Sequence, residues 1–318
     1  MAADRDPIEE RRVQTEDRYD IATWAPRSRF DHIAVVLYRG LRANAGRLLV
    51  VLAVVLLLVQ FALGGFVLLR QPGLDVLTAL SIVPAFVLAA AIWYLDPTER
   101  EPLRPLATTF LLGVLFASFA AVLNTVLMQG FRLLPVVGMF LLFFLVVGPL
   151  EETVKWLAVR IHAYRTPAFD SVVDGMVYGA VAGLGFATIE NSIYITRAVL
   201  AVAQPGTQAI STAQVQAAVE TAAQRSFVGP GHVLYSSISG YYLGLAKFNE
   251  EYYGPIVVKG VLLAALVHAT YDTVVTYATL TGPTFLAFIV VYDGAVLWYL
   301  SRKLIRYRRA YQGSAGGG

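Results

Sequence analysis

A short run of charged residues follows a strongly apolar stretch near the middle of the sequence. Glu151, Glu152 and Lys155 follow the run MFLLFFLVV, with three residues between its end and Glu151. A membrane helix would still be inside the bilayer here, where each charged side chain costs about 2.5–3.5 kcal/mol. Lys155 lies one helical turn from both glutamates and can neutralise one of them, which leaves the other carboxylate without a partner on its own helix. The spacing therefore predicts a buried carboxylate that is available for chemistry.

The competing interpretation of this run is a helix end whose charges reach water. It is disfavoured because Glu151 lies only about 6 Å from the centre of the predicted span at the helical rise. A short glutamate side chain extends poorly over that distance.

Each of the next three apolar stretches also carries ionisable side chains. Glu190 ends the motif DGMVYGAVAGLGFATIE, His232 follows a Gly-Pro-Gly sequence, and His268 and Asp272 lie one turn apart. Singly, each could be a packing residue that is satisfied by a neighbouring helix. Together they favour one shared polar cavity, because so many ionisable groups inside a membrane need a common wet environment. Carboxylates with two imidazoles are a ligand set suited to Zn²⁺, and a leftover carboxylate could activate water.

The composition predicts an all-α, polytopic membrane helix bundle. Of 318 residues, 57% are hydrophobic and 15% are charged, and several apolar runs exceed the ~18 residues of a transmembrane helix. The chain contains no cysteine, which excludes disulfides, thiolate metal sites and a cysteine nucleophile. The net charge of +3 indicates no particular partner, and we expect no nucleic-acid binding.

Hydropathy and turn residues predict about eight transmembrane helices. They are residues 47–69, 74–95, 105–128, 134–160, 172–198, 226–247, 255–279 and 282–301. With the N-terminus in the cytoplasm, twenty of the 25 lysines and arginines fall on the cytoplasmic side and four on the other side. This bias predicts that both termini are cytoplasmic.

The same pattern divides the chain into four parts. They are a basic cytoplasmic N-terminal region 1–46, three scaffold helices in 47–130, the catalytic helices in 131–301 with a polar outer loop 199–225, and a basic cytoplasmic tail 302–318. The end of the first part is either an interfacial helix on an anionic leaflet or a helical run-in to the first span. The loop 199–225 is predicted to be a surface helix or a lid.

Glycines mark two further features. Gly175, Gly179 and Gly183 recur every four residues, which predicts close approach of another helix. The Gly-Pro-Gly sequence 229–231 is predicted to break the start of span six and to widen a cavity beside His232.

Four motifs occur together in the sequence: EETVK, DGMVYGAVAGLGFATIEN, a histidine after a Gly/Pro kink, and HATYD. In this combination the sequence resembles the PrsW family of intramembrane proteases over roughly residues 100–275. The resemblance implies an endopeptidase that is usually classed as a metalloprotease and whose known members cleave a membrane-anchored anti-sigma factor. It maps the family's motifs onto Glu151-Glu152-Lys155, Phe186 with Glu190, His232, and His268 with Asp272.

On these grounds we expect an intramembrane endopeptidase. Glu151 is the expected general base, and Lys155 holds Glu152, although the two glutamates could exchange roles and Glu151 could be a ligand. The expected Zn²⁺ ligands are Glu190, His232 and His268. Asp272 is expected to orient His268. Asn191 or Ser236 is expected to donate a hydrogen bond to the oxyanion that forms when water attacks the peptide carbonyl.

The expected substrate is a membrane-anchored protein, and the expected location is the plasma (inner) membrane of a prokaryote. We expect the cavity to open towards the outer leaflet, with the 199–225 segment as a gate and cleavage near the outer boundary. The main alternative is a cation or proton-coupled transporter that uses the same buried groups as a relay. Against it, the sequence has no evident inverted repeat, and its polar residues cluster in the second half. A non-catalytic scaffold is a third alternative.

Overall fold

The computed structural model describes residues 26–27, 29–60, 73–203, 210–278 and 280–315. The start of the basic N-terminal region, the end of the first predicted span and the last three residues lie outside these ranges. Within them, all regular secondary structure is helical, as the composition predicted.

Each predicted span corresponds to a helix. The helices are α1 (Arg29–Gln60), α2 (Leu74–Tyr94), α3 (Leu103–Phe131), α4 (segments Gly138–Leu142, Phe143–Val147 and Gly148–Ile161), α5 (Val172–Ala201), α6 (Thr212–Lys247), α7 (Tyr253–Tyr277) and α8 (Gly282–Ala315). Among the described residues, five helices are long and apolar enough to cross a membrane, namely α2, α3, α5, α7 and α8. The chain is therefore a multi-pass membrane protein.

The chain divides into two units, Met1–Leu49 and Val50–Gly318. In the first unit, the described residues are helical from Arg29 onwards, and Ile33 and Val36 are exposed. Helix α1 runs without interruption from Arg29 to Gln60, and both interpretations of its first part stay predictions.

In the second unit, α5 lies at the centre of the bundle. Its apolar window is 78% buried within the protein, whereas that of α8 is 17% buried. The glycine strip explains this position, because α6 lies directly against it. A Cβ atom on Gly175 would lie 2.2 Å from the carbonyl oxygen of Gly240, and one on Gly179 would lie 2.3 Å from that of Ser236. The predicted close approach of a second helix is confirmed.

Helix α6 corrects two predictions. Residues 212–225 form neither a loop nor a separate surface helix, because one helix runs from Thr212 to Lys247. Ser211 and Gln214 begin it with a capping box. Its first turns bury Ala218 and Ala222 in an apolar cluster with α2 and α5, so this part of α6 belongs to the bundle.

The predicted break at residues 229–231 is also wrong, since Pro230 lies inside the continuous helix α6. Packing accounts for this outcome. A Cβ atom on Gly229 would lie 3.2 Å from Ala85 of α2, so neighbouring helices enclose the sequence that would end an isolated helix.

The middle segment of α4, Phe143–Val147, is a π-helical turn. It precedes Pro149, whose ring would clash with the carbonyl group of Leu145 in a regular α-helix, and the wider turn relieves this clash. Gly148 then allows close contact with α7, because a Cβ atom there would lie 2.6 Å from the carbonyl oxygen of Ala265. Together these features set the face of α4 that carries its charged residues.

Candidate active site

The ionisable side chains predicted from the sequence meet where α4, α5, α6 and α7 pack together. The residues are Glu151, Glu152, Lys155, Glu190, His232, His268 and Asp272. We call them the central cluster. Most of them are almost fully buried, while Glu190 and Asp272 keep about a fifth of their side-chain surface exposed.

Lys155 links three of these groups. Its Nζ lies 2.7 Å from Glu152 Oε1, 2.9 Å from His232 Nδ1 and 3.8 Å from Glu151 Oε2. An ammonium group can only donate, so His232 accepts this hydrogen bond at Nδ1. A neutral His232 then carries its proton on Nε2, which lies 2.6 Å from Glu190 Oε2.

His268 is oriented by Glu152. Its Nδ1 lies 2.9 Å from Glu152 Oε1, so the ring donates there and leaves a lone pair on Nε2. That nitrogen lies 3.7 Å from Glu151 Oε2 and 3.6 Å from Asp272 Oδ2. We expected Asp272 to orient this ring, but at 3.6 Å it makes no hydrogen bond, whereas Glu152 does. Nε2 is thereby presented as a ligand.

Glu151 keeps one oxygen free. Asn124 of α3 donates to its Oε1 at 2.9 Å, while Oε2 is buried without a hydrogen-bond partner among the described residues. We expected α3 to be a scaffold helix only, and this contact was not predicted. The available signal was an amide side chain within an apolar span, where such groups commonly bond across helices.

Glu190 is paired with an arginine that we had placed in the outer loop. Arg225 Nη2 lies 2.5 Å from Glu190 Oε2, and Arg225 Nε donates to Asn191 Oδ1 at 2.8 Å. Arg225 is buried on α6, two turns before His232. The spacing of seven residues could have placed both side chains on one helical face.

The two oxyanion candidates are engaged elsewhere. Asn191 donates to Ser81 Oγ of α2 at 3.0 Å and accepts from Arg225. Ser236 donates to the carbonyl oxygen of His232 at 2.7 Å. The Asn191 bonds therefore join α5 to α2 and α6, whereas the Ser236 bond lies within α6, and neither side chain is bonded to a side-chain atom of the central cluster in the described part of the chain.

A tyrosine and an aspartate extend the site towards α8. The Tyr235 ring lies 5.5 Å from the His268 ring, and its hydroxyl donates to Asp293 Oδ1 at 3.0 Å. The sequence analysis missed Asp293, although an acidic residue inside an apolar span marks a functional position by default.

Three residues of the central cluster could hold a metal ion. One ligand atom each of Glu151, His232 and His268 lies within 4.8 Å of the others. A carboxylate oxygen and two imidazole nitrogens suit Zn²⁺, and the unpartnered Glu151 Oε2 supplies a free ligand atom. This group contains Glu151 where the predicted ligand set had Glu190. The residues present therefore fit the ion.

A cavity of about 360 Å³ adjoins the central cluster. Besides Glu151, His232 and His268, its lining includes Arg197 near the end of α5 and Thr221 near the start of α6. The cavity therefore extends from the cluster towards the end of the bundle where α5 ends and α6 begins.

Comparisons with known proteins relate the chain to one family. The profile of the "PrsW family intramembrane metalloprotease" matches residues 101–299. The chain is 30% identical over 234 residues to "Protease PrsW" of Halalkalibacterium halodurans, which covers 73% of this chain and 96% of the relative. It is 30% identical over 204 residues to "Protease PrsW" of Bacillus subtilis, covering 61% of this chain and 80% of the relative. No solved structure matches the chain.

Proposed function

The chain belongs to the PrsW family of intramembrane proteases, and on that premise we propose that it is a metal-dependent endopeptidase that hydrolyses a peptide bond of a membrane-anchored protein. The observation that carries this proposal is the convergence of Glu151, His232 and His268 beside a cavity inside a helix bundle. The family favours hydrolysis over the transport alternative. We place the protein in the plasma membrane of a prokaryote, with both termini in the cytoplasm.

His232 and His268 would hold the ion, with one carboxylate as a further ligand. When bound, Zn²⁺ supplies Lewis-acid polarisation and makes water a better proton donor. The histidines are prepared for this role by their partners, since Glu152 fixes the His268 ring and Glu190 contacts His232 Nε2. The proton on His232 Nε2 must leave when that atom becomes a ligand.

We assign Glu151 as the general base and Glu190 as the third ligand. Asn124 fixes Glu151 through Oε1, so that Oε2 is free to accept a proton from the attacking water. Lys155 offsets the charge of Glu152, which keeps Glu152 in its hydrogen bond to His268.

The close grouping of Glu151, His232 and His268 favours a second assignment. There, Glu151 is the carboxylate ligand, and Glu190 remains on His232 under the hold of Arg225. In this assignment Asp272, which lines the cavity and lies 3.6 Å from His268 Nε2, would act as the base.

The cavity supports substrate entry from the end of the bundle where α5 ends and α6 begins. A helical substrate must unwind locally, because its own hydrogen bonds shield the peptide bond. With the proposed topology this end faces outwards, so cleavage falls near the outer boundary of the membrane. The first turns of α6, including Thr221, form one wall of the entrance, with the gating function that we expected of residues 199–225.

Metal content and proteolysis in the same preparation test the proposal. Wild type should carry about one equivalent of metal and produce new cleavage sites in single-pass membrane proteins reconstituted with it in vesicles. His268→Ala should lose both, since metal affinity depends on this ring. Arg302→Ala, at the exposed surface of α8, is the control and should keep both. Equal cleavage by wild type and His268→Ala would refute the proposed function.

A further inference from the structure

A second group of buried carboxylates lies far from the central cluster. Asp96 and Glu101 belong to the connection between α2 and α3, and Asp174 lies in the first turn of α5. One carboxylate oxygen from each lies within 4.8 Å of the others. We call these three residues the terminal cluster. Asp174 precedes Glu190 by sixteen residues on α5, which corresponds to about 24 Å, so the two clusters are separate.

Glu101 is the unusual member of the terminal cluster. Only 2% of its surface is exposed, and neither of its side-chain oxygens has a hydrogen-bond partner among the described residues. Asp96 Oδ2 is buried and unpartnered as well. Burying a carboxylate without a partner is costly, because the group loses its hydration and gains nothing in return. Either a bound cation or a proton can offset this cost.

The other two carboxylates are fixed in position. The backbone N–H and the hydroxyl of Thr98 donate to Asp96 Oδ1 at 2.8 and 2.7 Å. The backbone N–H groups of Asp170 and Ser171 donate to Asp174 Oδ2 at 2.6 and 2.8 Å. These donors hold the two carboxylates in place beside Glu101.

The lysine of this region does not complete the group. Lys247 at the end of α6 lies within electrostatic range of Asp174. Its ammonium group, however, donates to the carbonyl oxygens of Tyr164 and Phe169 at 3.0 and 2.6 Å. Lys247 forms no hydrogen bond to a carboxylate of the terminal cluster in the described part of the chain.

A buried hydroxyl faces the same place. Tyr178 lies one turn after Asp174 on α5 and is fully buried, and its hydroxyl has no hydrogen-bond partner among the described residues. The charges of Glu101 and Asp174 both act on it. A buried, unpartnered hydroxyl within electrostatic range of Glu101 and Asp174 is consistent with a missing polar occupant.

We propose that Asp96, Glu101 and Asp174 bind a hard divalent cation, Mg²⁺ or Ca²⁺, that is distinct from the ion of the central cluster. The donor set consists of oxygen only, without the imidazole or thiolate that softer metals prefer. The spacing of the ligand atoms suits cation–oxygen distances of about 2.1–2.5 Å. A bound cation would join the α2–α3 connection to the start of α5 and so stabilise this end of the bundle.

A proton is the competing occupant. Without a cation, burial and the neighbouring Asp96 raise the pKa of Glu101 to about 9. The variant Glu101→Gln reproduces a protonated Glu101 in shape and charge, and so separates the two cases. Glu99→Gln is its matched control, since Glu99 lies in the same connection and is exposed.

The experiment uses the full-length chain in detergent, stripped of metal, with His268→Ala in every sample to remove binding at the central cluster. Mg²⁺ or Ca²⁺ alone is titrated, and both the thermal midpoint and calorimetric binding are followed. The parent and the Glu99→Gln variant should bind one equivalent, with a midpoint that rises with cation concentration. Glu101→Gln should lose at least tenfold in affinity and should not show the rise in midpoint.

Two results would overturn the proposal. One is an unchanged cation response in Glu101→Gln. The other is a parent that binds neither cation at about 10 mM, tenfold above the weakest protein sites of this type; the occupant is then a proton. Should Glu101→Gln fail to fold, Asp96→Asn takes its place with the same expected loss. Because proteolysis is not measured, failure here leaves the proposed protease function untouched.

Discussion

In the central cluster, Glu151 and Glu152 lie beside the ammonium group of Lys155 and the imidazole ring of His268. In the described part of the chain, the carboxylates of the terminal cluster have no ammonium group or imidazole ring within hydrogen-bond distance. The carboxylates of both clusters are largely buried. In the first, the helices themselves supply cationic and hydrogen-bonding partners for the buried carboxylates. In the second, the counter-charge must come from solution.

The comparison teaches that burial of a carboxylate does not by itself indicate its use. Lys155 and the two histidines leave the central cluster poised for proton transfer, with one free oxygen on Glu151 and a cavity beside it. In the terminal cluster, one carboxylate oxygen of each residue lies within 4.8 Å of the others, which suits a bound cation and not a reaction. Changes that alter the partner groups should therefore act very differently in the two places.

The largest expected effect is that of Glu151→Gln. It keeps the shape of the side chain and its bond to Asn124, but removes the proton acceptor. We expect proteolysis to fall by about 10⁴-fold, the upper end for a general base. Metal content, measured on the same preparation, should stay near one equivalent.

Two other outcomes would change the assignment of Glu151. Loss of the metal together with activity would make Glu151 a ligand, as the three-residue group suggests. Cleavage at nearly the wild-type rate would move the base to Asp272 or Glu152. Glu220→Gln on the exposed face of α6 serves as the control and should change neither quantity.

The next effect is that of Lys155→Met on stability. The change removes the ammonium group that contacts Glu152 and His232, and leaves a buried carboxylate without its cation. We expect a loss of about 3 kcal/mol in unfolding free energy, as for other buried pairs from which one partner is removed. Lys259→Met on the exposed side of α7 should cost much less.

A double variant separates charge from packing at Lys155. In Lys155→Met combined with Glu152→Gln, the uncompensated charge is gone and the glutamine can still accept from His268. Part of the lost stability should return. If the double variant is as unstable as the sum of both single variants, charge compensation by Lys155 is not what stabilises the central cluster.

Much of this arrangement could be predicted from the sequence, because it rests on local spacing. Apolar length gave the positions of the helices, and the repeat Gly175, Gly179, Gly183 gave the contact face of α5. The ionisable residues at helical spacing gave the members of the central cluster. Each of these signals is contained within one helix.

What could not be predicted depends on pairing between distant segments. Arg225 stands in an Ala/Gln-rich stretch that is typical of a loop, and its contact with Glu190, 35 residues away, shows its role. Asn124 and Asp293 are single polar residues whose partners lie on other helices. The terminal cluster joins Asp96 and Glu101 to Asp174, which lies 78 and 73 positions further along the chain, so that no local pattern marks it.

The smallest expected effect concerns two buried tyrosines, one beside each cluster. Tyr178 offers its hydroxyl to no partner among the described residues, whereas the hydroxyl of Tyr235 donates to Asp293 at 3.0 Å. In metal-stripped protein, Tyr178→Phe should therefore change the unfolding free energy by less than about 0.5 kcal/mol, because no hydrogen bond is lost. Tyr235→Phe should cost about 1–3 kcal/mol, because Asp293 is left buried without its donor. Both values follow from chemical or thermal unfolding of the two variants under identical conditions. A cost above about 1 kcal/mol for Tyr178→Phe in metal-stripped protein would mean that the Tyr178 hydroxyl makes a hydrogen bond in the absence of metal. The hydroxyl would then give no support for a cation bound at the terminal cluster.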